Sequence, residues 1–271
     1  MPRSVVVLLG WLAAIATAPA GAAAAGKPLL AIIIDDLGNQ RRLGMQAVEL
    51  PGPVACAFMP HTPYAAELAE RAHVNGKEVM LHLPMQPNEM QRIAGLGEIS
   101  LDNQRGDLRR ILASDLATVP HVVGINNHMG SLITRHPGHM AWLMDELAVR
   151  GNLFFVDSYT TAASVALATA LERGVPAVRR HVFLDDDPAP AAVAEQFARL
   201  QQHARRRGFA VGIGHPYPAT LAFLQSQLPE LSAAGFELVS IQEILRRLER
   251  GELHQDAPAI PLASAGAGQL R

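Results

Sequence analysis

The stretch Leu29-Leu30-Ala31-Ile32-Ile33-Ile34-Asp35-Asp36-Leu37-Gly38 places six apolar residues directly before two adjacent carboxylates. The apolar run is bounded by Pro28 and Gly38, which is typical of a short strand buried on both faces. Side chains alternate along a strand, so a strand that continues through the pair would turn Asp35 and Asp36 to opposite faces. Neighbouring carboxylates repel each other and are costly to bury. The pair therefore indicates either a solvated turn or a functional site with a positive partner close by.

The amino-terminal residues have the three parts of a secretory signal peptide. Arg3 provides a positive flank, residues 5–18 form an apolar run too short to span a bilayer, and the alanines that follow offer cleavage sites. We expect residues 1–26 to be removed on export, which would leave a periplasmic or secreted protein with no stable membrane insertion. An uncleaved amino-terminal anchor is the alternative.

The rest of the chain is long enough for one large α/β domain with a full core. We expect this domain to span residues 27–250 and an aperiodic, disordered tail to span residues 251–271. The formal net charge of −2 provides no basic field for nucleic acid, so none is expected as a partner. Cys56 is the only cysteine, and its apolar neighbours predict a buried, inert thiol.

Short apolar runs alternate with segments of helical periodicity along the whole domain. The expected strands cover residues 29–34, 54–58, 78–83, 121–125, 153–156, 177–184, 209–213 and 236–240. The helices between them cover roughly residues 40–50, 64–74, 107–117, 137–150, 162–173, 191–207, 219–235 and 241–250, with Asp107 capping the third. This alternation predicts an α/β protein, a distorted (β/α) barrel of about seven to eight strand–helix units. A doubly wound open sheet is the alternative, but its Gly-rich first turn is missing.

Polar residues interrupt this pattern almost entirely where the expected strands end. They are Asp35, Asp36, His61, His82, Asn126, Asn127, His128, Asp157, Ser158, Asp185 and His215. In a barrel the carboxyl ends of the strands converge on one face, where active sites are built. One histidine at a strand end is most often structural, but many such groups together would leave buried polar atoms unpaired unless they bind something. The pattern therefore predicts a functional site at this face.

The predicted site contains a ligand set for a divalent metal. Two neutral imidazoles and one carboxylate, with water in the open position, suit catalytic Zn²⁺, and Asp36, His82 and His128 are the best candidates. Asp35 would then lie beside the water and take its proton, and His215 could act as the acid toward a leaving group. The residues expected to contact substrate or support the metal ligands are Asn126, Asn127, Asp157 and Ser158.

Several of these stretches resemble the polysaccharide deacetylases, the NodB-like carbohydrate esterases. Ile33-Ile34-Asp35-Asp36 resembles their first motif, which implies that Asp35 is the catalytic base and Asp36 a metal ligand. Ile213-Gly214-His215 resembles their late Leu-x-His motif, which implies that His215 is the catalytic acid. The fuller resemblance, over about residues 28–248, is to the divergent polysaccharide deacetylase family of bacterial exported proteins. The blocks that carry it are residues 82–87, 124–131, 155–158 and 213–216, and Asn126-Asn127-His128-Met129-Gly130-Ser131 is the most specific part.

The resemblance implies a NodB-like barrel and a metal-dependent hydrolase that removes N- or O-acetyl groups from an acetylated glycan. The main family takes both metal histidines from one His-x-x-x-His segment, whereas here they would come from two strands, at His82 and His128. The Arg-x-Pro-x-Gly and Asp-x-x-Asp-Trp motifs of the main family are absent, so substrate orientation must differ. Tyr159 stands where the divergent family is expected to have an arginine.

Two other functions are compatible with these residues. The first is a catalytically weak, metal-containing periplasmic relative that binds a glycan or a partner protein. The second is a barrel glycosidase, which needs two carboxylates about 5–10 Å apart across the sugar, and which Asp35 and Asp157 could supply. Bound metal would argue against the glycosidase, and turnover of acetylated sugars would separate the enzyme from the binding protein.

Overall fold

Parallel strands and helices alternate along the chain, which confirms the predicted α/β class. A computed structural model describes residues 26–88 and 94–255. The strands are β1 (Leu29–Leu37), β2 (Ala55–Phe58), β3 (Val79–Met85), β4 (Val122–Met129), β5 (Phe154–Asp157), β6 (Ala177–Arg179), β7 (Val182–Phe183), β8 (Phe209–Gly214) and β9 (Glu237–Leu238). The helices are α1 (Arg41–Val48), α2 (Ala65–Val74), α3 (Arg105–Thr118), α4 (Pro137–Arg150), α5 (Ala166–Glu172), α6 (Pro190–Arg207), α7 (Pro218–Gln227) and α8 (Ile241–Glu249).

The sheet is parallel throughout and curls into an incomplete barrel. Its strand order is β6-β5-β4-β3-β2-β1-β8-β7, and β9 pairs with the start of β1. The two strands at the opposite ends of this order, β6 and β7, are separated in sequence only by Arg180 and His181. The sheet must therefore curl until its ends approach each other, which is the distorted barrel that the strand–helix alternation predicts.

The prediction of a single sixth strand over residues 177–184 is wrong, because this segment forms two short strands, β6 and β7, that pair with different neighbours. The Arg180 amide still donates to Asp157 O on the β5 side, at 2.9 Å. The next amide, that of His181, donates to Val211 O in β8, at 2.8 Å, and the His181 ring accepts from the Val211 amide, at 3.0 Å. The chain changes partner between these two residues, and this point is the seam of the barrel.

Strand β1 is buried on both faces, as its continuous apolar run predicts. Leu29, Ala31 and Ile33 belong to the cluster that fills the barrel interior. Leu30, Ile32 and Ile34 belong to the cluster that packs under the surrounding helices. The strand therefore lies at the centre of both cores.

Helix α8 closes the amino end of the barrel. Ile241 and Ile244 are fully buried against the interior cluster. The helix begins where Ser240 accepts a hydrogen bond from the Glu243 amide, and the carboxylate of Glu78 accepts from the amides of residues 241 and 242, at 2.7 and 2.9 Å. The accessible end of the barrel is therefore the one formed by the carboxyl ends of the strands.

Some boundaries differ from the sequence predictions. Gln104, not Asp107, is the N-cap residue of α3, and the Asp107 carboxylate accepts from the Gln104 amide, at 3.0 Å, in a capping box. Strand β4 runs on to Met129 because its ladder with β3 continues to the pair Met85–Met129. Cys56 is buried as predicted, and burial raises the pKa of its thiol to about 12.

The termini are described only in part. The expected signal peptide lies outside the described residues except for Gly26, and the expected tail lies outside them from residue 256 onward. Before that point the chain still packs, since Leu253 contacts the interior cluster and the Gln255 side chain donates to Ala177 O, at 3.2 Å. Within the described ranges, no helix is long and apolar enough to cross a membrane.

Candidate active site

A bulge at the end of β1 brings both adjacent carboxylates to one centre. The ladder between β1 and β2 shifts register between Ile34 and Leu37, and Asp36 has the left-handed φ of 57°. This conformation is uncommon for a residue other than glycine, although Asp tolerates it better than most. Asp35 continues the interior face of the strand, and the bulge turns Asp36 to the same side. The opposite-face arrangement predicted from alternation is therefore wrong, because the bulge interrupts the regular alternation of side chains before β1 ends at Leu37.

Asp36, His82 and His128 form a compact cluster that could hold a metal ion. Asp36 Oδ1 lies 2.9 Å from His128 Nδ1 and 3.2 Å from His82 Nε2, and the two ring nitrogens are 3.0 Å apart. Four ligands at tetrahedral Zn²⁺ distances are separated by about 3.3 Å, within a few tenths of an ångström of this triangle. The buried Asp36 Oδ1 has no hydrogen-bond partner of good geometry. The donor set and this orphan oxygen both fit a bound cation.

Asn126 fixes the orientation of His82 and links it to Asp35. The His82 Nδ1–H donates to Asn126 Oδ1, at 2.9 Å, which leaves the Nε2 lone pair pointing into the cluster. The Asn126 amide nitrogen donates to Asp35 Oδ1, at 2.8 Å, and reaches Ser158 Oγ, at 3.3 Å. Asn126 is completely buried, so these bonds hold one arrangement of the candidate ligand and the candidate base.

The two carboxylates of the site, Asp35 and Asp36, favour a positive charge beside them. Burial lowers the pKa of His82, but Asp35 and Asp36 outweigh it and raise the pKa to about 9. Burial raises the pKa of Asp36, but the adjacent imidazoles of His128 and His82 hold it well below its usual range. Burial raises the pKa of Asp35 despite the opposing charges of His82 and His215. In this cluster either a proton on an imidazole or a bound cation balances the carboxylates.

His215 lies on the other side of Asp36 and is held by Asp185. The His215 Nδ1–H donates to Asp185 Oδ1, at 2.9 Å, and the His215 amide donates to Asp185 Oδ2, at 2.7 Å. Thr220 also donates to Asp185 Oδ2, at 2.7 Å. The second ring nitrogen, His215 Nε2, faces Asp36 Oδ2 at 3.9 Å. Burial lowers the pKa of His215, but Asp185 and the two β1 carboxylates raise it above its usual value, which favours a proton on Nε2.

Three of the residues expected to contact substrate or support the ligands form hydrogen bonds that organise two loops. The Asn127 amide donates to Met129 O, at 2.7 Å, and its oxygen accepts from the Ser158 amide, at 2.9 Å. Asp157 accepts from the Tyr159 amide, at 2.9 Å, and from Ser164 Oγ, at 2.8 Å. These bonds hold the loops after β4 and β5, whereas Asn126 alone of the four contacts a candidate metal ligand.

Sequence reasoning assigned no role to Asp185 and missed Arg180. Arg180 Nε donates to Ser158 O, at 2.6 Å, and Nη2 donates to Tyr159 O, at 3.0 Å. Burial lowers the pKa of Arg180, but the carboxylates of Asp35 and Asp157 oppose this shift. Arg180 therefore brings a guanidinium to the loop where Tyr159 replaces the expected arginine. The sequence does not single out Arg180, because its role depends on its place beside the seam, and the hydrophobic periodicity of the chain does not reveal the seam.

The fold and site together define an incomplete parallel (β/α) barrel with an Asp–His–His cluster at the carboxyl ends of its strands. The sequence pattern of the divergent polysaccharide deacetylase family matches residues 32–245, and the chain belongs to that family. The uncharacterized protein YibQ of Escherichia coli (strain K12) is 40% identical over 207 residues, which are 76% of this chain and 64% of that protein. The chain therefore spans under two thirds of the length of this relative.

Solved structures share the fold. The uncharacterized protein ATU2773 from Agrobacterium tumefaciens C58 superposes with a TM-score of 0.78 at 21% identity, over 82% of this chain and 90% of that one. The catalytic domain of a peptidoglycan N-acetylglucosamine deacetylase from Eubacterium rectale superposes with a TM-score of 0.50 at 14% identity, over 80% and 89%. BA3943, a CE4 family pseudoenzyme from Bacillus anthracis, gives 0.51 at 15% identity, over 82% and 66%. The predicted NodB-like barrel is confirmed.

Proposed function

We propose that the protein is a metal-dependent hydrolase that removes N- or O-acetyl groups from a cell-wall or extracellular glycan. The observation that carries the proposal is the spatial arrangement of a candidate base, a candidate metal-ligand cluster and a candidate acid side by side in the site. A candidate base, Asp35, and a candidate acid, His215, flank a cluster of three metal-ligand types, Asp36, His82 and His128. Hydrolysis of an amide or ester needs a base for water, stabilisation of the acyl oxygen and an acid for the leaving group.

The three cluster residues would hold one divalent ion, and the ligand set of two imidazoles and one carboxylate favours Zn²⁺. When bound, such an ion polarises an acyl oxygen and eases the deprotonation of water. We assign Asp35 as the acceptor of a proton from the attacking water; this is supported by Asn126, which holds one of its oxygens and leaves the other facing His82 Nε2, at 3.6 Å. His215 donates the proton on Nε2 to the departing amine or hydroxyl, while Asp185 keeps the opposite nitrogen protonated.

The family supports a glycan substrate, and the Eubacterium rectale protein of similar fold is a peptidoglycan N-acetylglucosamine deacetylase. Export belongs to the same proposal, because a cell-wall glycan is met outside the cytoplasm and residues 1–26 have the composition of a signal peptide. Amino-terminal sequencing of protein recovered from the periplasm or medium tests export. An intact Met1 in a cytoplasmic fraction would contradict it.

Asp157 gives little support to a glycosidase. Both of its oxygens accept hydrogen bonds from the loop that follows β5, so the carboxylate is engaged in holding that loop. A glycosidase pair would need it free beside the sugar ring. The observations therefore favour acyl hydrolysis over glycoside hydrolysis.

The test combines metal content with acetate release. Purified protein should contain about one divalent ion per chain by elemental analysis, since three protein ligands offer a single site. It should release acetate from chitooligosaccharide or peptidoglycan fragments, and His128→Ala should lose both metal and activity. A chain that keeps its metal but releases no acetate from any acetylated glycan would be a binding protein instead, as a fold shared with a pseudoenzyme allows.

A further inference from the structure

A cavity of about 350 Å³ opens directly beside the candidate site. Asp36 and His215 lie in its wall, so a molecule in the cavity can reach both the metal-ligand cluster and the candidate acid. Cavities that bind small molecules measure roughly 300–1,000 Å³, which places this one at the lower end. Its size suits one sugar ring better than a longer stretch of polymer.

Tyr217 is the aromatic side chain that lines this cavity beside His215. It is 42% exposed and is the single aromatic among the large, exposed apolar side chains of residues 26–88 and 94–255. Its ring centroid lies 5.6 Å from that of His215. Isolated exposed apolar residues are common, so the position of this ring beside the acid is the informative feature.

The backbone at Tyr217 is restrained by its neighbours. Pro216 precedes it and Pro218 follows it, and a residue before proline is restricted to extended conformations. Tyr217 has φ −76° and ψ 142°, and its amide donates to His215 O, at 2.8 Å. An aromatic side chain with two χ angles on a restrained backbone provides contact area beside the cavity at low entropic cost.

The remaining polar groups of the cavity suit a neutral, hydroxylated ligand. The exposed amide side chains of Asn39 and Gln40 can donate to and accept from sugar hydroxyls. Apart from Asp36 and His215, which belong to the candidate site, no side chain that lines the cavity is charged. An anionic ligand would find no cationic partner there except the acid itself.

We propose that Tyr217 is a specificity-determining residue, whose ring stacks on the face of the single sugar that carries the acyl group. This inference rests on the proposed function. With the sugar against Tyr217, its acylated nitrogen or oxygen is brought toward His215, which is where a leaving group must receive its proton.

The test compares an acetylated chitooligosaccharide with 4-nitrophenyl acetate, which carries the same acyl group without a sugar. Tyr217→Ala should raise KM for the oligosaccharide by about tenfold, the usual loss when an aromatic anchor is removed. The effect on the aryl ester should be several-fold smaller. Tyr217→Phe keeps the ring and should recover most of the lost affinity. Leu171→Ala removes a similarly exposed apolar side chain, 43% exposed, from a different cavity and serves as the control.

Other outcomes overturn the assignment. An equal loss on both substrates would mean that Tyr217 acts through His215 and not on the sugar. A preference for longer acyl chains in the aryl esters, abolished in Tyr217→Ala, would mean that the cavity holds the acyl group. If the parent hydrolyses neither substrate, the proposed function fails, and calorimetric titration with chitooligosaccharide still decides the stacking. Binding about tenfold weaker in Tyr217→Ala supports it, and equal or absent binding refutes it.

Discussion

At the residue scale, Asp35 and Asp36 are neighbours in sequence with opposite environments. Burial raises the pKa of Asp35, whereas two adjacent imidazoles lower the pKa of Asp36 despite its burial. Environments that push the pKa values of two carboxylates apart are a common way to give them different roles. The pair therefore supports one residue that exchanges protons and one that stays ionised and binds a cation.

Asp35→Asn should keep the metal and lose activity. The amide preserves the shape of the side chain but removes the proton acceptor, and general-base effects are typically about 10²–10⁴-fold. The measurements are metal content and acetate release, with Asp102→Asn, an exposed carboxylate on the loop before α3, as the control. Turnover of Asp35→Asn at the parental rate would show that Asp35 is not the base.

Asp185→Asn should slow the reaction and move its pH dependence. Asp185 is one of the groups that raise the pKa of His215, so replacing it should lower that pKa. The acid must be protonated to act, and the alkaline fall in activity should therefore shift to lower pH. Metal content should stay at the parental level because Asp185 contacts no cluster residue in the hydrogen bonds of the described chain. An unchanged pH profile would contradict the role of Asp185.

At the element scale, the end of β1 is where local sequence rules fail to predict the backbone conformation. The strand, its burial and its place at the centre of the sheet follow from its apolar run. The bulge at Asp36 does not, because alternation predicts a regular strand, whereas the left-handed φ coincides with a register shift in the ladder with β2. Backbone irregularities of this kind gather at functional sites, where the surrounding structure maintains them.

The variant Asp36→Asn distinguishes the role of Asp36 in the backbone bulge from its role as a metal ligand. Asparagine tolerates left-handed φ values, so the backbone should be preserved while the charged ligand is lost. We expect metal content and activity to fall together, with a melting temperature close to that of the metal-free parent. Full metal occupancy in this variant would exclude Asp36 from the ligand set.

Glu78→Gln should destabilise the protein without changing the activity of its folded, metal-loaded form. The carboxylate of Glu78 accepts two amides at the start of α8, and glutamine can offer only one oxygen. The loss should be about 1 kcal/mol, which corresponds to a fall in melting temperature of about 2–4 °C. Glu249→Gln, on an exposed turn of the same helix, is the control for thermal denaturation. Equal melting temperatures for the two variants would refute the capping role.

At the scale of the whole molecule, the sequence predicts the barrel and the face that carries the site. Strand–helix alternation and the polar residues at strand ends are local signals, and they placed Asp36, His82 and His128 on one face. The split of residues 177–184 and the contacts of Asp185 and Arg180 are not local signals. They depend on where the curled sheet brings its two ends, which no periodicity along the chain records.

Chelation should lower the melting temperature of the parent and leave His128→Ala unchanged. A ligand that binds only the folded state stabilises it by about 2.7 kcal/mol at one hundred times its dissociation constant. For a domain of this size that is a shift of about 5–10 °C, which restoring Zn²⁺ should reverse. An equal response of both proteins to chelator would place the bound ion elsewhere.

The position of β1 also determines when the molecule can fold. Leu29 pairs with Phe209 and Glu237, so the first strand of the domain takes partners from near its end. At synthesis rates of about 5–20 residues per second, a span of roughly 180 residues takes about 10–40 s to emerge. During that time one edge of the most apolar strand has no partner. Such long-range pairing folds slowly, so the central strand of the sheet gains its last partners only when most of the domain has been synthesised.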